Sequence, residues 1–330
     1  MTFASHAATI ADQALELSVV GSFSRAGFAA RRALFGWDAV SQPDLRDRTV
    51  VITGATGGLG LAAAHLLAAR GARLCLIGRD AVRTDAARQS VADVRPDARV
   101  HTVVADLASL DAVRSAARQV TASVPGIDVL IHNAGALVHD RRTTVDGIEL
   151  TAQVHVVAPF LLTTLLLPQL QASEDGRVVF VSSGGMYTRR LDVDALEHPP
   201  EPFDGVRTYA EAKRAQVVLT DLWTHHPAGR GISFHATHPG WADTPGVQES
   251  LPGFRRVMRP LLRSPEQGAD TMAWLAAAPE PLEANGAFWL DRRPRATTVL
   301  PWTRTPDGEA ERLWNWCVAR SGARLGIEAS

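Results

Sequence analysis

A glycine-rich turn between a strand and a helix is the feature that most restricts what this chain can fold into. Residues 53–60 read TGATGGLG and directly follow the apolar run 49–52. Glycine is needed where a backbone turns tightly or where a side chain would block an anion, and the helix that follows presents free N–H groups. The spacing is G-x-x-x-G-x-G rather than the commoner G-x-G-x-x-G. We therefore expect a dinucleotide-binding turn formed by Gly54, Thr56, Gly58, Leu59 and Gly60.

Short apolar runs alternate with helical segments along most of the chain. After 49–52, strands are predicted at 74–77, 100–105, 129–131, 178–181, 232–236 and 287–290, and helices include 59–70, 268–275 and 309–320. Buried strands joined by helical crossovers form a parallel sheet covered on both sides. We predict an α/β protein: a Rossmann-like, doubly wound parallel sheet with helices on both faces over residues 46–295. An N-terminal helical extension (1–45) precedes it, and a tail with a helix (296–330) follows.

Composition excludes several classes of protein. The net charge is −1 and 46% of the 330 residues are hydrophobic, which favours a large core and gives no basic surface for nucleic acid. Two cysteines cannot build a disulfide framework and fit a reducing compartment. The longest apolar run, 160–167, is far shorter than the roughly 20 residues that span a bilayer. The first 24 residues contain no Lys or Arg, unlike a secretory signal. We expect a cytoplasmic protein.

The N-terminal extension contains an apolar stripe at helical spacing. Its members are Val19, Phe23, Ala26, Ala30, Leu34 and Trp37. One interpretation is a helix packed on the main domain or on a second copy in a homo-oligomer. The alternative is an amphipathic helix over 19–37, with Arg25, Arg31 and Arg32, that lies on a membrane surface and makes the protein membrane-peripheral.

The end of the second predicted strand indicates which nicotinamide cofactor fits. An NAD site usually has a carboxylate there, which binds the ribose 2′-hydroxyl. Here Ile77 and Gly78 lead to Arg79, whose guanidinium suits a 2′-phosphate, although Asp80 could partly neutralise it. NADP(H) is therefore predicted in preference to NAD(H), with a solvated surface arginine as the alternative.

A tyrosine and a lysine four residues apart form the candidate catalytic pair. Tyr209 and Lys213 would share one helix face. Bringing a phenol from a pKa near 10 to 7 takes about 4 kcal/mol, which a nearby ammonium and an oxidised nicotinamide could supply. The strand 178–181 ends at Ser183, whose hydroxyl could bind the reacting oxygen. A serine hydrolase is excluded because Val181 stands where G-x-S-x-G needs glycine.

Together these residues resemble the short-chain dehydrogenase/reductase family over about residues 47–295. The matching motifs, in order, are the turn 53–60, Asp106-Leu107, Asn133-Ala134-Gly135, Ser183, Tyr209/Lys213 and Pro239-Gly240 with Thr244. Further stretches resemble the member 12 group of dehydrogenase/reductases, namely 183–186, 202–205, 213–220 and 238–247.

The resemblance implies a role for each matching residue. The cofactor would be contacted by the glycine-rich turn, Asp106, Leu107, Asn133, Ala134, Gly135, Pro239, Gly240 and Thr244, and by Tyr209 and Lys213. Asp106 would contact the adenine, residues 133–135 would line the adenosine side, and Thr244 would meet the carboxamide. Tyr209 would be the acid/base, Ser183 would position the oxygen, and Lys213 would hold the nicotinamide ribose and lower the pKa of Tyr209.

Two departures from the family pattern stand out. His155 occupies the position of an asparagine that steadies a water in the proton relay. It is either a proton shuttle near pH 7 or a packed core histidine. Ser183 and Tyr209 are 26 residues apart, about twice the usual interval. We expect an insertion loop over 188–205 to cover the site.

These features predict an NADP(H)-dependent oxidoreductase that interconverts a carbonyl and a secondary alcohol. A substrate lid is expected over 246–262, and its apolar residues, with Trp241, favour a lipophilic substrate. One alternative is a sensor or scaffold that binds cofactor with little turnover, because of His155. A methyltransferase is a weaker alternative, since it leaves Tyr209 and Lys213 unexplained. No metal site is predicted, since His235 and His238 flank a strand end and would not point together.

Overall fold

A central sheet of eight strands forms the core of the protein, as a computed structural model shows. The structure describes residues 3–39, 43–199 and 201–325. The strands are β1 (Thr49–Thr53), β2 (Arg73–Gly78), β3 (Val100–Val104), β4 (Val129–His132), β5 (Gly176–Val181), β6 (Ile232–Thr237), β7 (Phe288–Leu290) and β8 (Arg293–Arg295). Each predicted strand is confirmed to within two residues, and β8 was not predicted.

The strand order explains where a site can form. It runs β3-β2-β1-β4-β5-β6-β7-β8, with every pairing parallel except the last. Val51 of β1 pairs with Cys75 on one side and Leu130 on the other. The order reverses between β1 and β4, and ligands bind at such a reversal, beyond the carboxyl ends of the strands. The doubly wound fold is confirmed.

Helices cover both faces of the sheet. They are α1 (Phe3–Glu16), α2 (Val19–Phe23), α3 (Arg25–Leu34), α4 (Gly58–Ala68), α5 (Ala81–Val94), α6 (Leu110–Ser123), α7 (Leu150–Ala152), α8 (Ala158–Ala172), α9 (Val193–Glu197), α10 (Gly205–His225), α11 (Pro245–Ser250), α12 (Pro252–Met258), α13 (Pro265–Leu275) and α14 (Glu309–Ser321). One hydrophobic cluster joins α6, α8, α10 and α14 to the sheet, and a second joins α4 and α13 to the other face.

The helical stretch 150–172 crosses the core. A π-helical turn, Gln153–Val157, links α7 to α8 within it. Among the described residues this is the one helix long and apolar enough to span a membrane, yet 89% of its apolar window is buried within the fold. Its apolar character therefore reflects contact with the sheet and with α6.

The predicted single amphipathic helix over the N-terminal stripe is wrong. Ser24 ends α2 and caps α3, because its side chain accepts a hydrogen bond from the Gly27 N–H. The buried face of α3 carries Gly27, Phe28 and Arg31, whereas Ala26 of the predicted stripe is exposed. A Cβ on Gly27 would lie 2.0 Å from the Gly21 carbonyl oxygen, so glycine lets α2 and α3 pack closely. Membrane contact through residues 19–37 stays a prediction.

Buried charges hold this extension on the main domain. The Arg31 guanidinium, fully buried, donates to Asp12 at 2.6 Å and to Asp291 at 2.8 Å. Asp291 follows β7 and also binds Arg263, another buried arginine. Arg31, which the membrane-surface interpretation assigns to a polar helix face, is buried because carboxylates neutralise it.

Residues 188–205, predicted as a loop over the site, contain α9, which packs on α14. Arg312 pairs with Asp194 at 2.6 Å, and the Trp316 indole donates to Glu197. Val193 and Leu196 are buried. The segment forms a helix here because α14 covers its apolar side chains.

Candidate active site

The glycine-rich turn closes on the end of β4. Gly54 has φ +65°, and a Cβ there would lie 2.6 Å from the Ala134 Cα. A Cβ on Gly60 would lie 2.4 Å from the Gly54 carbonyl oxygen. The Asn133 Nδ2 donates to the carbonyl oxygens of Thr53 and Gly54 at 3.1 and 3.0 Å. Only glycine fits at these two positions, and Asn133 holds the turn in shape.

The first turn of α4 is shaped for an anion. Gly57 caps the helix with no side-chain acceptor, so the first N–H groups stay available to a ligand. The next residue, Gly58, faces the loop after β6. A Cβ on Gly58 would lie 3.3 Å from the Thr244 Cβ, so this loop lies beside the glycine-rich turn. Free amides at a helix N-terminus fit a pyrophosphate, so the residues present suit a dinucleotide.

Two arginines without ion-pair partners lie at the end of β2. Arg79 and Arg83 are exposed, and none of the residues that the structure covers forms an ion pair with either. Asp80 instead caps α5, accepting a hydrogen bond from the Arg83 N–H at 2.8 Å. The Arg83 Nη2 lies 3.7 Å from the Cβ position of Gly57. Sequence reasoning missed Arg83. Its position in the first turn of the helix after β2, close behind Arg79, was the signal that could have identified it as a second candidate for a 2′-phosphate.

The other predicted cofactor residues follow β1, β3, β4 and β6, at the carboxyl ends of the strands. Asp106 is exposed after β3 and its Oδ1 accepts the Ala108 N–H at 2.9 Å. Leu107 is buried, and its carbonyl accepts from Gln153. Of the remaining predicted cofactor residues, Thr56 lies beside the end of β2, and Leu59 packs against Gly268. Gly135 lies against the ring of His155. Pro239 and Gly240 both lie against the Arg263 side chain.

Ser183 and Tyr209 meet at the carboxyl end of β5. Ser183 follows β5, and Tyr209 lies near the start of α10, which runs back along the sheet. Burial raises the pKa of Tyr209 to about 12, and a hydrogen bond with Ser183 lowers it only in part. The phenol is therefore protonated at neutral pH. The structure brings the predicted oxygen-positioning hydroxyl and the predicted acid together.

Lys213 lies under the tyrosine. Its Nζ is 5.3 Å from the centre of the Tyr209 ring and donates to the Val181 carbonyl at 2.7 Å. Burial lowers the pKa of Lys213 to about 7. Burial disfavours the charged forms of both groups, and the expectation that Lys213 and an oxidised nicotinamide together lower the pKa of Tyr209 toward 7 stays a prediction.

His155 is a packed core histidine. It is fully buried in the π-helical turn, and its ring lies edge-on to Tyr209 with centroids 5.2 Å apart. Its Nε2 lies 2.8 Å from the Ala136 carbonyl oxygen and 3.0 Å from the Ala136 nitrogen. Burial and the charge of Lys213 hold its pKa well below the usual value. Of the two alternatives, these contacts favour the packed core histidine over a proton shuttle near pH 7, because burial disfavours the charged imidazole.

Gln216 bridges two of these groups, and sequence reasoning missed it. Its Oε1 accepts a hydrogen bond from the Lys213 Nζ at 3.0 Å, and its Nε2 donates to the His155 carbonyl at 2.9 Å. The side chain is 1% exposed. The available signal was the polar residue one helical turn after Lys213, on the same face.

The predicted lid forms two short helices. In α11 and α12 no described side chain is fully buried. The lid reaches the loop after β4, where the Ser250 hydroxyl donates to the Leu137 carbonyl at 3.0 Å. Phe254 contacts Trp241 with ring centroids 5.5 Å apart. The lid therefore spans the crevice beyond Thr244.

Comparison with known proteins identifies similar chains. A family model described as short chain dehydrogenase matches residues 48–253. Dehydrogenase/reductase SDR family member 12 of Bos taurus is 39% identical over 266 residues, covering 80% of this chain and 82% of that protein. Retinol dehydrogenase 13 of Homo sapiens is 31% identical over 327 residues, 96% of each chain. A crystal structure from Mycobacterium paratuberculosis, 27% identical, has a TM-score of 0.68 and covers 87% of this chain and 98% of that one. The resemblance to the family and to its member 12 group is confirmed.

Proposed function

The chain belongs to the short-chain dehydrogenase/reductase family, and we propose that it reduces a lipophilic carbonyl compound with NADPH. The methyltransferase alternative is set aside, because the family match is to dehydrogenases.

The observation that carries the proposal is the meeting of Ser183 and Tyr209 beside the glycine-rich turn. Ser183 acts on the pKa of Tyr209, which places the two hydroxyls close enough for one substrate oxygen to contact both. A phenol with a pKa of about 12 holds its proton at neutral pH. It can give that proton to an oxygen that gains negative charge, as the reduction of a carbonyl requires.

The residues around the turn support NADP(H). The first amides of α4 would hold the pyrophosphate, and Arg79 and Arg83 would hold the 2′-phosphate. Asp106 and residues 133–135 would line the adenosine side, and Thr244 would meet the carboxamide. A bound nicotinamide cofactor would supply the hydride.

In the reaction, the chain's own groups manage the proton. Ser183 donates a hydrogen bond to the carbonyl oxygen and orients it. The Tyr209 hydroxyl gives its proton to that oxygen as the carbonyl carbon becomes an alcohol carbon. The resulting phenolate is supported by the Lys213 ammonium, whose rotamer is fixed by the Val181 carbonyl and by Gln216.

Half-buried aromatic rings on the substrate side favour a lipophilic substrate. Trp241 and Phe254 are neither fully buried nor fully exposed and contact each other. The relative from Homo sapiens is named for retinol, a lipophilic alcohol. We extend that substrate class, and not retinol itself, to this chain.

The test is NADPH oxidation by the purified protein with a panel of lipophilic aldehydes, ketones and quinones. Tyr209→Phe should lower kcat by roughly 10²-fold or more, while the Kd for NADPH stays within twofold. Tyr187→Phe is the matched control, since Tyr187 is the only other tyrosine in the chain. Equal activity in Tyr209→Phe and wild type would refute the assignment.

The second candidate is a protein that binds NADPH with little turnover. It is favoured by the buried imidazole of His155, at the position where the family pattern implies an asparagine. Tight NADPH binding with no oxidation on any substrate would support it. If His155 is the cause of the low turnover, His155→Asn should then raise the rate of NADPH oxidation.

A further inference from the structure

The N-terminal extension brings an aromatic side chain next to the catalytic serine. A Cβ on Gly184, the residue after Ser183, would lie 2.9 Å from the Phe23 Cε2. Phe23 is the last residue of α2 and is half-buried. The family model matches only from residue 48, so this contact comes from outside the matched part of the chain.

Phe23 belongs to a continuous group of rings around this point. Its ring lies edge-to-face with His238, centroids 4.3 Å apart, and with Trp241 at 5.7 Å. Trp241 in turn meets Phe254 of the lid at 5.5 Å. Phe23, Trp241 and Phe254 come from three separate segments, and none of them is fully buried. We call these three residues the aromatic wall.

The protein fixes Phe23 with buried charge. The Phe23 carbonyl accepts hydrogen bonds from the Trp241 N–H at 2.9 Å and from the Arg263 Nε at 3.0 Å. Arg263 is 1% exposed and is neutralised by Asp291, which also binds Arg31 of α3. Such a fixed position suits a binding surface, because the ring loses little further freedom when a ligand binds.

His238, whose ring lies edge-to-face with Phe23, adds no charge to the wall. It is buried, and burial lowers its pKa to about 3, so the imidazole is neutral at pH 7. Its Nδ1 accepts the Gly240 N–H at 3.2 Å. The flat surfaces of aromatic rings complement a flat apolar molecule by stacking and edge contacts.

We propose that the extension completes the substrate site, with Phe23 as the side of the aromatic wall nearest Ser183, and that the site selects aryl ketones over aliphatic ketones. The inference deepens the proposed function and rests on it for the identity of the reacting carbonyl. It assigns to residues 3–39 a part in substrate recognition, beyond their packing on the domain.

The experiment measures binding, apart from turnover. The Kd of 2-acetylnaphthalene and of 2-octanone is determined by calorimetry on the full chain saturated with NADP⁺, for wild type, Phe23→Ala and Phe35→Ala. Phe35 is the matched control: it is half-buried in the same extension and stacks on the Arg293 guanidinium at 4.4 Å. Tm and the Kd for NADPH verify that each variant is folded.

Phe23→Ala should weaken binding of 2-acetylnaphthalene at least about tenfold and that of 2-octanone less than threefold. Phe35→Ala should change neither by more than twofold. Phe23→Trp, which keeps an aromatic ring, should retain the preference for the aryl ketone. An unchanged Kd in Phe23→Ala, an equal loss for both ketones, or a wild type that binds neither ketone would each overturn the inference.

Turnover separates this inference from the proposed function. If wild type binds 2-acetylnaphthalene through Phe23 but oxidises no NADPH with any carbonyl compound, the proposed reduction fails and the aromatic site stands. If wild type reduces aryl ketones and Phe23→Ala does so with the same kcat/KM, the inference fails and the reductase stands.

Discussion

Replacement of Asp291 by asparagine should release the N-terminal extension from the domain. Asp291 is fully buried and accepts hydrogen bonds from Arg31 at 2.8 Å and from two nitrogens of Arg263 at 2.6 and 2.9 Å. Asparagine has nearly the same shape but carries no charge. It can keep one acceptor oxygen, and its NH₂ group then faces a guanidinium that also only donates.

The loss in free energy of unfolding depends on which of the two arginines is left without a counterion. Arg31 keeps Asp12 at 2.6 Å, whereas Arg263 keeps only backbone carbonyl oxygens, those of Ser22, Phe23, Ser24 and Pro239. One uncompensated buried charge costs about 3–5 kcal/mol. At about 2–4 °C per kcal/mol for a domain of this size, Tm should fall by roughly 6 °C or more.

Thermal unfolding and limited trypsin digestion measure the effect. Asp291→Asn should lower Tm by that amount and speed cleavage within residues 1–45, because Arg31 becomes accessible and the chain around the already exposed Arg25 and Arg32 loosens. Asp38→Asn is the control, since Asp38 pairs with Arg32 on the surface of the same extension. It should shift Tm by no more than about 2 °C. Similar Tm values for the two variants would refute the argument that buried charge holds the extension.

Three further predictions concern the cofactor, the proton and the docking charges. Arg79→Gln should raise the Kd for NADPH about tenfold or more and leave that for NADH unchanged, whereas Arg88→Gln, a control on α5, should alter neither. Because the Lys213 pKa lies at about 7, kcat should fall as pH rises through 7. Gln216→Leu removes a hydrogen bond to the Lys213 ammonium and should move this fall in kcat to lower pH. Gln216→Glu adds a negative charge beside the ammonium and should move the fall in kcat to higher pH. Burial raises the pKa of Asp12, but hydrogen bonds from two arginines lower it below its usual value. Its stabilisation is therefore complete above about pH 4 and lost as pH falls further, which Tm against pH should show for wild type and not for Asp12→Asn.

The sheet and the site residues could be read from local sequence because each depends on near neighbours. A run such as 178–181 is apolar at every position, which in a chain of alternating elements is a buried parallel strand. The turn at Gly54 needs a positive φ, and Tyr209 and Lys213 share a helix face by their spacing alone. These are properties of a few consecutive residues, so the order of motifs along the chain was enough to predict the fold and to name candidate site residues, although not Arg83 or Gln216.

The electrostatics of the site and the position of the extension were decided by tertiary contacts. Burial, a property of the whole packing, raises the pKa of Tyr209 and lowers that of Lys213, and the spacing of the two residues gave no sign of it. Arg31 is in the core because Asp291 lies 260 positions later in the chain and reaches it. Phe23 lies against Gly184 through a contact that is likewise distant in the sequence. Contacts between residues so far apart leave no periodicity in the sequence, since only the folded chain brings their side chains together.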